Sequence, residues 1–477
     1  MSSSDKVTKV CAKNGEESEN VVTKNSANNN TMKNDTCNNK NRKLKLKDKV
    51  FVERKSLIHE MYDVQHIRNI HYIFMVLLLT LIVNHIVHGI IHEGRLSLHI
   101  TPIIQNFSDG HLALVGWLII FGLTLLVYPV FHLWASTYSQ ITTTILKESW
   151  NGLWIAIVLG YYYEVFEWAG TYVTENDLTF TSSFALTVEA TRLLMKTHAF
   201  IRTNVTKLHN EKENFKLAPF RHYLEFLFMP TLVFRDSYPR TKAINWTSVF
   251  VYFFEFCGCV FFICYLYNMY FAPDCNHFKV SSSFQLKDFA WLIFRNTVPS
   301  LGIMIIMFYL ILHLIQNLFG ELTRFADRQF YQDWWNSTSY DEYYRKWNVV
   351  VHDWLYNYVY KDVFEAFNLK SPLIPKLLVF LISAIVHEYI LYYTMRMFYP
   401  VLGTIFFTFG MIFTSFRSPQ YWLISVLFLY SYGLGFSITI TSYVIEFCVR
   451  QNPCAANSTM IPFDWLYSKT LFNDCVN

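Results

Sequence analysis

Apolar positions along this chain gather into runs of about twenty residues, the length a helix needs to cross ~30 Å of hydrocarbon. The runs fall at 70–91, 111–134, 150–173, 184–205, 246–271, 291–319, 372–398, 401–416 and 421–447. A backbone inside lipid must satisfy its own hydrogen bonds, so such runs predict helices. The expected fold class is all-α, a polytopic membrane protein of about nine transmembrane helices. The run at 184–205 is the most interrupted, because Glu189, Arg192 and Lys196 recur in it at three- and four-residue steps. That spacing gathers them on one face, which is expected to be buried against neighbouring helices.

The polar stretches complete the domain plan. Residues 1–49 are rich in Ser, Asn and Lys and end in the basic run Lys40–Lys49; they lack the apolar load to fold and predict a disordered tail. No cleavable signal peptide is visible there, so insertion is expected to rest on the first span. Residues 50–69 mix apolar and charged positions at helical spacing and predict an interfacial helix. Residues 70–449 form the transmembrane domain, and 450–477 a C-terminal tail. Two long loops, 206–245 and 321–371, carry most of the basic residues between spans, among them Lys207, Arg221, Arg235, Arg240, Arg324, Arg328, Arg345 and Lys361. The positive-inside rule assigns both loops and the N-terminus to the cytosol, leaving the C-terminal tail in the lumen.

Composition agrees with this plan. Charged residues make up only 16% of the 477 positions against 53% apolar, too few to cover a soluble surface of this size. A net charge of +4 without a basic stripe gives no reason to expect a nucleic-acid partner. The nine cysteines are scattered rather than set at metal-ligand spacing, so no metal site is expected. In a lumenal tail Cys454 and Cys475 would meet oxidising conditions, and a disulfide closing their loop of about twenty residues would be worth ~3 kcal/mol. Asn457 would be an accessible glycosylation sequon there, whereas the sequons at Asn204, Asn245 and Asn336 would not be. The prolines show no paired broken helices, which argues against an inverted-repeat transporter.

Candidate chemistry concentrates in two places. His387 and Glu388 lie near the middle of the 372–398 run, where an ionisable group is costly and reads as functional. Ser383 lies one turn earlier on the same side. A desolvated imidazole is uncharged and keeps one nitrogen free to accept a proton; the competing reading is an interhelical hydrogen bond. Glu388 reads as a structural partner rather than the base. Upstream, Asn348, His352, Tyr356 and Tyr360 repeat at four-residue steps and line one polar face of a helix. The competing reading there is a face that is merely wet. The histidines at 85, 88, 132 and 313 read as helix-end or packing residues; His198 reads as a packing residue, with a place on the sterol route as the alternative. No Gly-x-Ser-x-Gly elbow, P-loop or kinase signature is present, which disfavours a serine nucleophile and phosphoryl chemistry.

At Phe330-Tyr331-Gln-Asp333-Trp334-Trp335-Asn336 the chain resembles the F-Y-x-D-W-W-N signature of the membrane-bound O-acyltransferases that esterify sterols or diacylglycerol. The extension through Tyr356, the S-A-I-V-H-E-Y segment at 383–389, the segment 226–241 and F-A-D-R at 325–328 are similar to the sterol O-acyltransferase branch, and the likeness covers nearly everything after about Val64. The resemblance implies a nine-helix fold in the endoplasmic-reticulum membrane. It also implies transfer of a long-chain acyl group from acyl-CoA, a co-substrate rather than a resident cofactor, to a membrane sterol. Catalytic roles would fall on His387 and Asn348, with His352 close to the donor. Acyl-CoA contacts would map to Tyr343, Arg345, Asn348, His352, Tyr360 and Ser383. Family members form homodimers or homotetramers, which is carried here as analogy. Between Phe367 and Leu373 the chain is less basic than its relatives, so the lysine for the coenzyme A phosphates is not fixed, with Lys370 the nearest candidate. Other acceptors (diacylglycerol or a long-chain alcohol) and a non-catalytic sterol transporter or sensor remain the alternatives.

Overall fold

The computed structural model describes residues 46, 48–94, 101–211, 215–275, 286–369, 371–409 and 422–451. The expected tail before Leu46, Cys454, Cys475 and Asn457 lie outside them. Among the described residues the secondary structure is helical throughout, with two isolated bridges, Arg54 to Asp327 and Arg240 to Phe325, as the extended pairings.

The apolar runs become helices. Six are long and apolar enough to cross a membrane: Gln65–His92, Ile104–Gln140, Trp246–Cys275, Thr297–Leu322, Leu373–Met395 and Trp422–Arg450. Thr144–Glu175 and Phe180–Glu211 are each 32 residues long but carry more charge, and Val401–Thr404 continues as a π-helical turn to Phe409. Many large apolar side chains on the outer helices are exposed, Ile73, Leu77, Phe254 and Val426 among them. A soluble chain would bury them; a bilayer covers them. The protein is a multi-pass membrane protein. The run at 291–319 is divided at Asn296, between helices Leu286–Arg295 and Thr297–Phe308.

Phe180–Glu211 is the central helix. It packs against Gly110–Gln140, Thr144–Glu175 and Leu373–Met395, and its buried positions include Leu186, Ala190, Leu193, Phe200 and Asn204. Its charges share one face, as their spacing predicts, but only Lys196 is buried there; Glu189 and Arg192 are half-buried. Glu189 accepts hydrogen bonds from the Arg192 guanidinium at 2.6 and 2.8 Å. Arg192 also donates to the Leu227 carbonyl at 2.7 Å, and the buried Lys196 ammonium donates to the carbonyls of Phe226 and Met229. Those carbonyls close the helix Phe220–Phe228, whose C-terminal end attracts cations.

A second group joins Trp246–Leu266, Thr297–Phe308 and Trp422–Arg450. Cys275, at the end of one, and Cys448, in the last turn of another, form a disulfide.

Candidate active site

The F-Y-Q-D-W-W-N stretch is a rigid bracket between these groups. Phe330, Tyr331 and Trp334 are buried. The Trp334 ring packs against Phe308, Trp347 and Tyr432 at centroid distances of 5.1, 4.9 and 6.1 Å, and Trp335 lies against Trp334 at 5.7 Å. Aromatic pairs at these separations add to plain burial. Asp333 pairs with Lys346 at 3.0 Å and accepts from the Asn336 amide at 3.3 Å. Burial opposes its ionisation, but these donors and the Lys346 charge hold the Asp333 carboxyl below the usual carboxylate range.

The bracket's backbone sets the next segment. Gln332 N–H donates to the Lys346 carbonyl at 2.8 Å, and Val349 N–H donates to the Phe330 carbonyl at 2.9 Å. Asn348 lies between these two contacts, at the junction of helices Tyr340–Trp347 and Val349–Leu355. Its side-chain oxygen accepts from Val351 N–H at 3.1 Å, an N-cap. With the oxygen so used, the amide NH2 is the end left to donate, and it has no protein partner among the described residues.

Beyond Asn348 the four-residue spacing becomes a ladder of rings. His352 stacks on Tyr356 at 6.5 Å, Tyr356 on Tyr360 at 5.8 Å, and Tyr360 on Phe364 at 6.1 Å, with interplanar angles of 10°, 14° and 7°. The π-helical turn Tyr356–Tyr360 packs on the helix Leu373–Met395, so the polar face and the His387 helix are neighbours. Arg345 is exposed, paired with Asp341 at 2.9 Å. Tyr343 does not belong to this face. Its hydroxyl is taken by Tyr432 at 2.6 Å inside the aromatic bracket, where burial pushes the phenol well above its ordinary range.

In the His387 helix, Nδ1 lies 2.6 Å from the Ser383 carbonyl oxygen and 3.5 Å from Ser383 Oγ. A carbonyl only accepts, so Nδ1 carries the proton and Nε2 carries the lone pair. The ring is exposed rather than packed away and lies 5.9 Å from the Phe406 ring. Among the described residues no hydrogen bond joins His387 to Asn348. Glu388 is structural: it accepts from Gly403 N–H at 2.6 Å and from the Tyr443 hydroxyl at 3.3 Å. His198 hydrogen-bonds Tyr162 at 3.0 Å and packs on Trp354 and Tyr358.

Sequence reasoning missed three connections. His313 has a richer neighbourhood than a packing residue: it is buried, 2.6 Å from the Tyr331 hydroxyl and 3.3 Å from Ser56 Oγ, with the His59 ring at 5.0 Å. Lys376, in the first turn of the His387 helix, reaches Asp341 at 3.2 Å. Lys49 pairs with Asp353, beside His352, at 2.7 Å. None of these pairs has a local spacing that would have announced it.

Comparison with known proteins adds independent support. The model of the membrane-bound O-acyltransferase (MBOAT) family matches residues 99–445. Sterol O-acyltransferase 1 of Mus musculus is 37% identical over 425 residues, covering 87% of this chain and 78% of that protein. The Rattus norvegicus form is also 37% identical over 425 residues, covering 87% and 77%. Sterol O-acyltransferase 2 of Homo sapiens is 37% identical over 368 residues, covering 76% and 69%.

Proposed function

The chain belongs to the membrane-bound O-acyltransferase family and is an acyltransferase, and from that premise we propose that it moves a long-chain acyl group from acyl-CoA to the 3-hydroxyl of a membrane sterol. The observation that carries this reading is the Nδ1 bond from His387 to the Ser383 carbonyl at 2.6 Å, which leaves Nε2 as a proton acceptor at mid-helix. His387 acts as general base: Nε2 takes the hydroxyl proton while the sterol oxygen attacks the thioester carbonyl. The carbon–sulfur bond breaks, and the coenzyme A thiolate leaves with the proton returned by the imidazolium. General-base assistance of this kind is typically worth 10²–10⁴-fold.

Asn348 directs its free amide NH2 at the donor carbonyl, either holding the thioester or stabilising the oxyanion. His352, Tyr360 and Ser383 lie along the donor, with Arg345 at its polar end. No activated serine or cysteine supports an acyl-enzyme, so transfer is direct. The donor face is cytosolic, the C-terminus lumenal and the membrane that of the endoplasmic reticulum. The basic loops support that orientation, as does a Cys275–Cys448 disulfide at helix ends that it places in an oxidising compartment. The assembly is a homodimer or homotetramer, by analogy alone.

The test is purified protein reconstituted with radiolabelled oleoyl-CoA and one acceptor at a time. Sterol-dependent thiol release with matching steryl ester is expected. Equal release with diacylglycerol, or none with sterol, would refute the assignment.

A further inference from the structure

The chain ahead of the first membrane helix takes no part in the chemistry proposed above, yet it is bound to both sides of the site's frame. Residues 48–56 form no helix, Arg54 makes an isolated bridge to Asp327, and helix Leu57–Tyr62 follows. We propose that this segment is a strap that positions the donor-binding face, with Arg54 as its anchor and Lys49 as the positioning residue that grips the face. The inference rests on reading Asn348–Tyr360 as the acyl-CoA side of the site.

The anchor end is built like one strand of a sheet. Arg54 N–H donates to the Ala326 carbonyl and Arg328 N–H donates to the Arg54 carbonyl, both at 3.0 Å. The Arg54 guanidinium meets Asp327 with two parallel bonds of 2.9 and 2.7 Å, and the Asp327 side chain is only 3% exposed. A forked, half-buried pair of this kind fixes direction as well as distance. Two residues on, Ser56 Oγ hydrogen-bonds the Tyr331 hydroxyl at 3.0 Å, inside the bracket that frames Asn348.

The gripping end lies five residues earlier in the chain. There Lys49 Nζ meets Asp353 Oδ2 at 2.7 Å, with side chains 17% and 19% exposed. Asp48 pairs with Lys361 at 2.6 Å, and Leu46 N–H donates to Glu365 at 3.2 Å. Asp353 directly follows His352, and its other oxygen lies 3.8 Å from His352 Nδ1. The strap thus holds the helix that begins at Asn348 by its far side, while the bracket holds its start. A face already held in its binding geometry has less ordering to lose when a ligand arrives, so a contact that immobilises the helix bears directly on donor affinity. Lys55 provides the contrast: it pairs with Asp63 across an exposed surface, the side chains 68% and 69% exposed, and touches neither part of the frame.

The experiment uses the full-length protein in lipid nanodiscs, a non-hydrolysable thioether analogue of oleoyl-CoA for binding, and steady-state kinetics with oleoyl-CoA and sterol. Lys49→Ala is expected to raise both the analogue Kd and the donor KM about fivefold or more, roughly the loss of one shielded ion pair. Turnover at saturating donor and the sterol dependence should stay near wild type. Lys49→Arg should restore binding, and Lys55→Ala should change nothing. Where Lys49→Ala fails to fold, Lys49→Gln, similar in length but uncharged, carries the same expectation. Wild-type Kd and KM in a folded Lys49 variant overturn the strap, as does a fall in kcat with donor KM unmoved. If the wild-type protein itself does not bind the analogue, the acyl-CoA reading falls; if it binds and the Lys49 variants bind equally, only the strap falls.

Discussion

Tyr393 lies directly over Gly170, so close that a Cβ on the glycine would run into the phenol ring. One turn away, the Tyr389 hydroxyl donates to the Phe166 carbonyl at 2.8 Å. These two contacts seat the His387 helix on Thr144–Glu175, and a single methyl group at Gly170 would have to displace the Tyr393 ring. Gly170→Ala is expected to cost about 1–3 kcal/mol, the usual range for overpacking, and to lower acyl transfer. Tyr393→Leu in the same chain should recover part of both. Thermal unfolding in detergent together with activity checks this; a Gly170→Ala protein with unchanged stability would mean the helices separate freely.

His387→Ala removes the imidazole whose Nδ1 bond to the Ser383 carbonyl leaves Nε2 free to accept a proton, and its side chain does not fill a core position. Turnover should fall by about 10²–10⁴, with expression and melting temperature close to wild type. Ester synthesis at the wild-type rate in a folded His387→Ala protein would remove the base from the mechanism.

Asn348 caps a helix with the oxygen of its amide and, in the proposed mechanism, meets the donor with the NH2; substitutions separate the two. Asn348→Asp keeps the oxygen that caps Val349–Leu355 and discards the NH2. Asn348→Ala discards both and should lose ~1 kcal/mol of stability for the missing cap. Both are expected to lose about 10²–10³ in turnover if the amide meets the oxyanion, whereas only the alanine should melt earlier. A rise in donor KM at constant kcat would instead assign the NH2 to ground-state positioning.

Asp333 makes the aromatic bracket sensitive to acid. Its carboxyl is held below the ordinary range in the fold, so its ionised form favours folding. That contribution is present above the unfolded value of about 4 and disappears as pH falls through the lower folded value. Lys346→Gln should therefore be less stable than wild type at neutral pH and converge with it in strong acid. The gap should be small, because Asp333 is 42% exposed and water screens the pair. A constant gap at every pH would assign the effect to packing.

What could be read in advance follows from the range of each signal. A run of apolar residues declares a membrane helix without knowing its neighbours, and a four-residue repeat declares a shared face, which is why the ladder from His352 to Tyr360 was visible in the sequence. The number of crossings was less legible, because Thr144–Glu175 and Phe180–Glu211 are interrupted by charged residues, of which Lys196 is buried and held by carbonyls of a separate helix. Pairings that depend on the whole fold leave no such trace. Ser56 and His313 meet across 257 positions, and residues 50–69 read as an amphipathic surface helix because Lys49, Arg54 and Ser56 have partners hundreds of residues away. Tyr343 shows a partner no local pattern declares: its hydroxyl pairs with that of Tyr432, 89 positions away.

The disulfide between Cys275 and Cys448 tests both the packing and the sidedness of the molecule. It closes a loop of 173 residues, and the chain-entropy account makes long loops worth ~5 kcal/mol when native geometry is unstrained. Both cysteines lie at helix ends on the face opposite the 206–245 and 321–371 loops if the basic residues set the orientation. A reducing cytosol would keep the thiols apart, and the secretory lumen would join them. Alkylation of the denatured protein before reduction should therefore leave Cys275 and Cys448 unlabelled, and alkylation after reduction should label both. Peptide mapping without reductant should recover the two sequences as one cross-linked species. Cys275→Ser and Cys448→Ser should each lower thermal stability, and the double variant should be no worse than either single one, because each already breaks the same bond. Free thiols at both positions in protein extracted from membranes under oxidation-blocking conditions would contradict the lumenal placement of these helix ends.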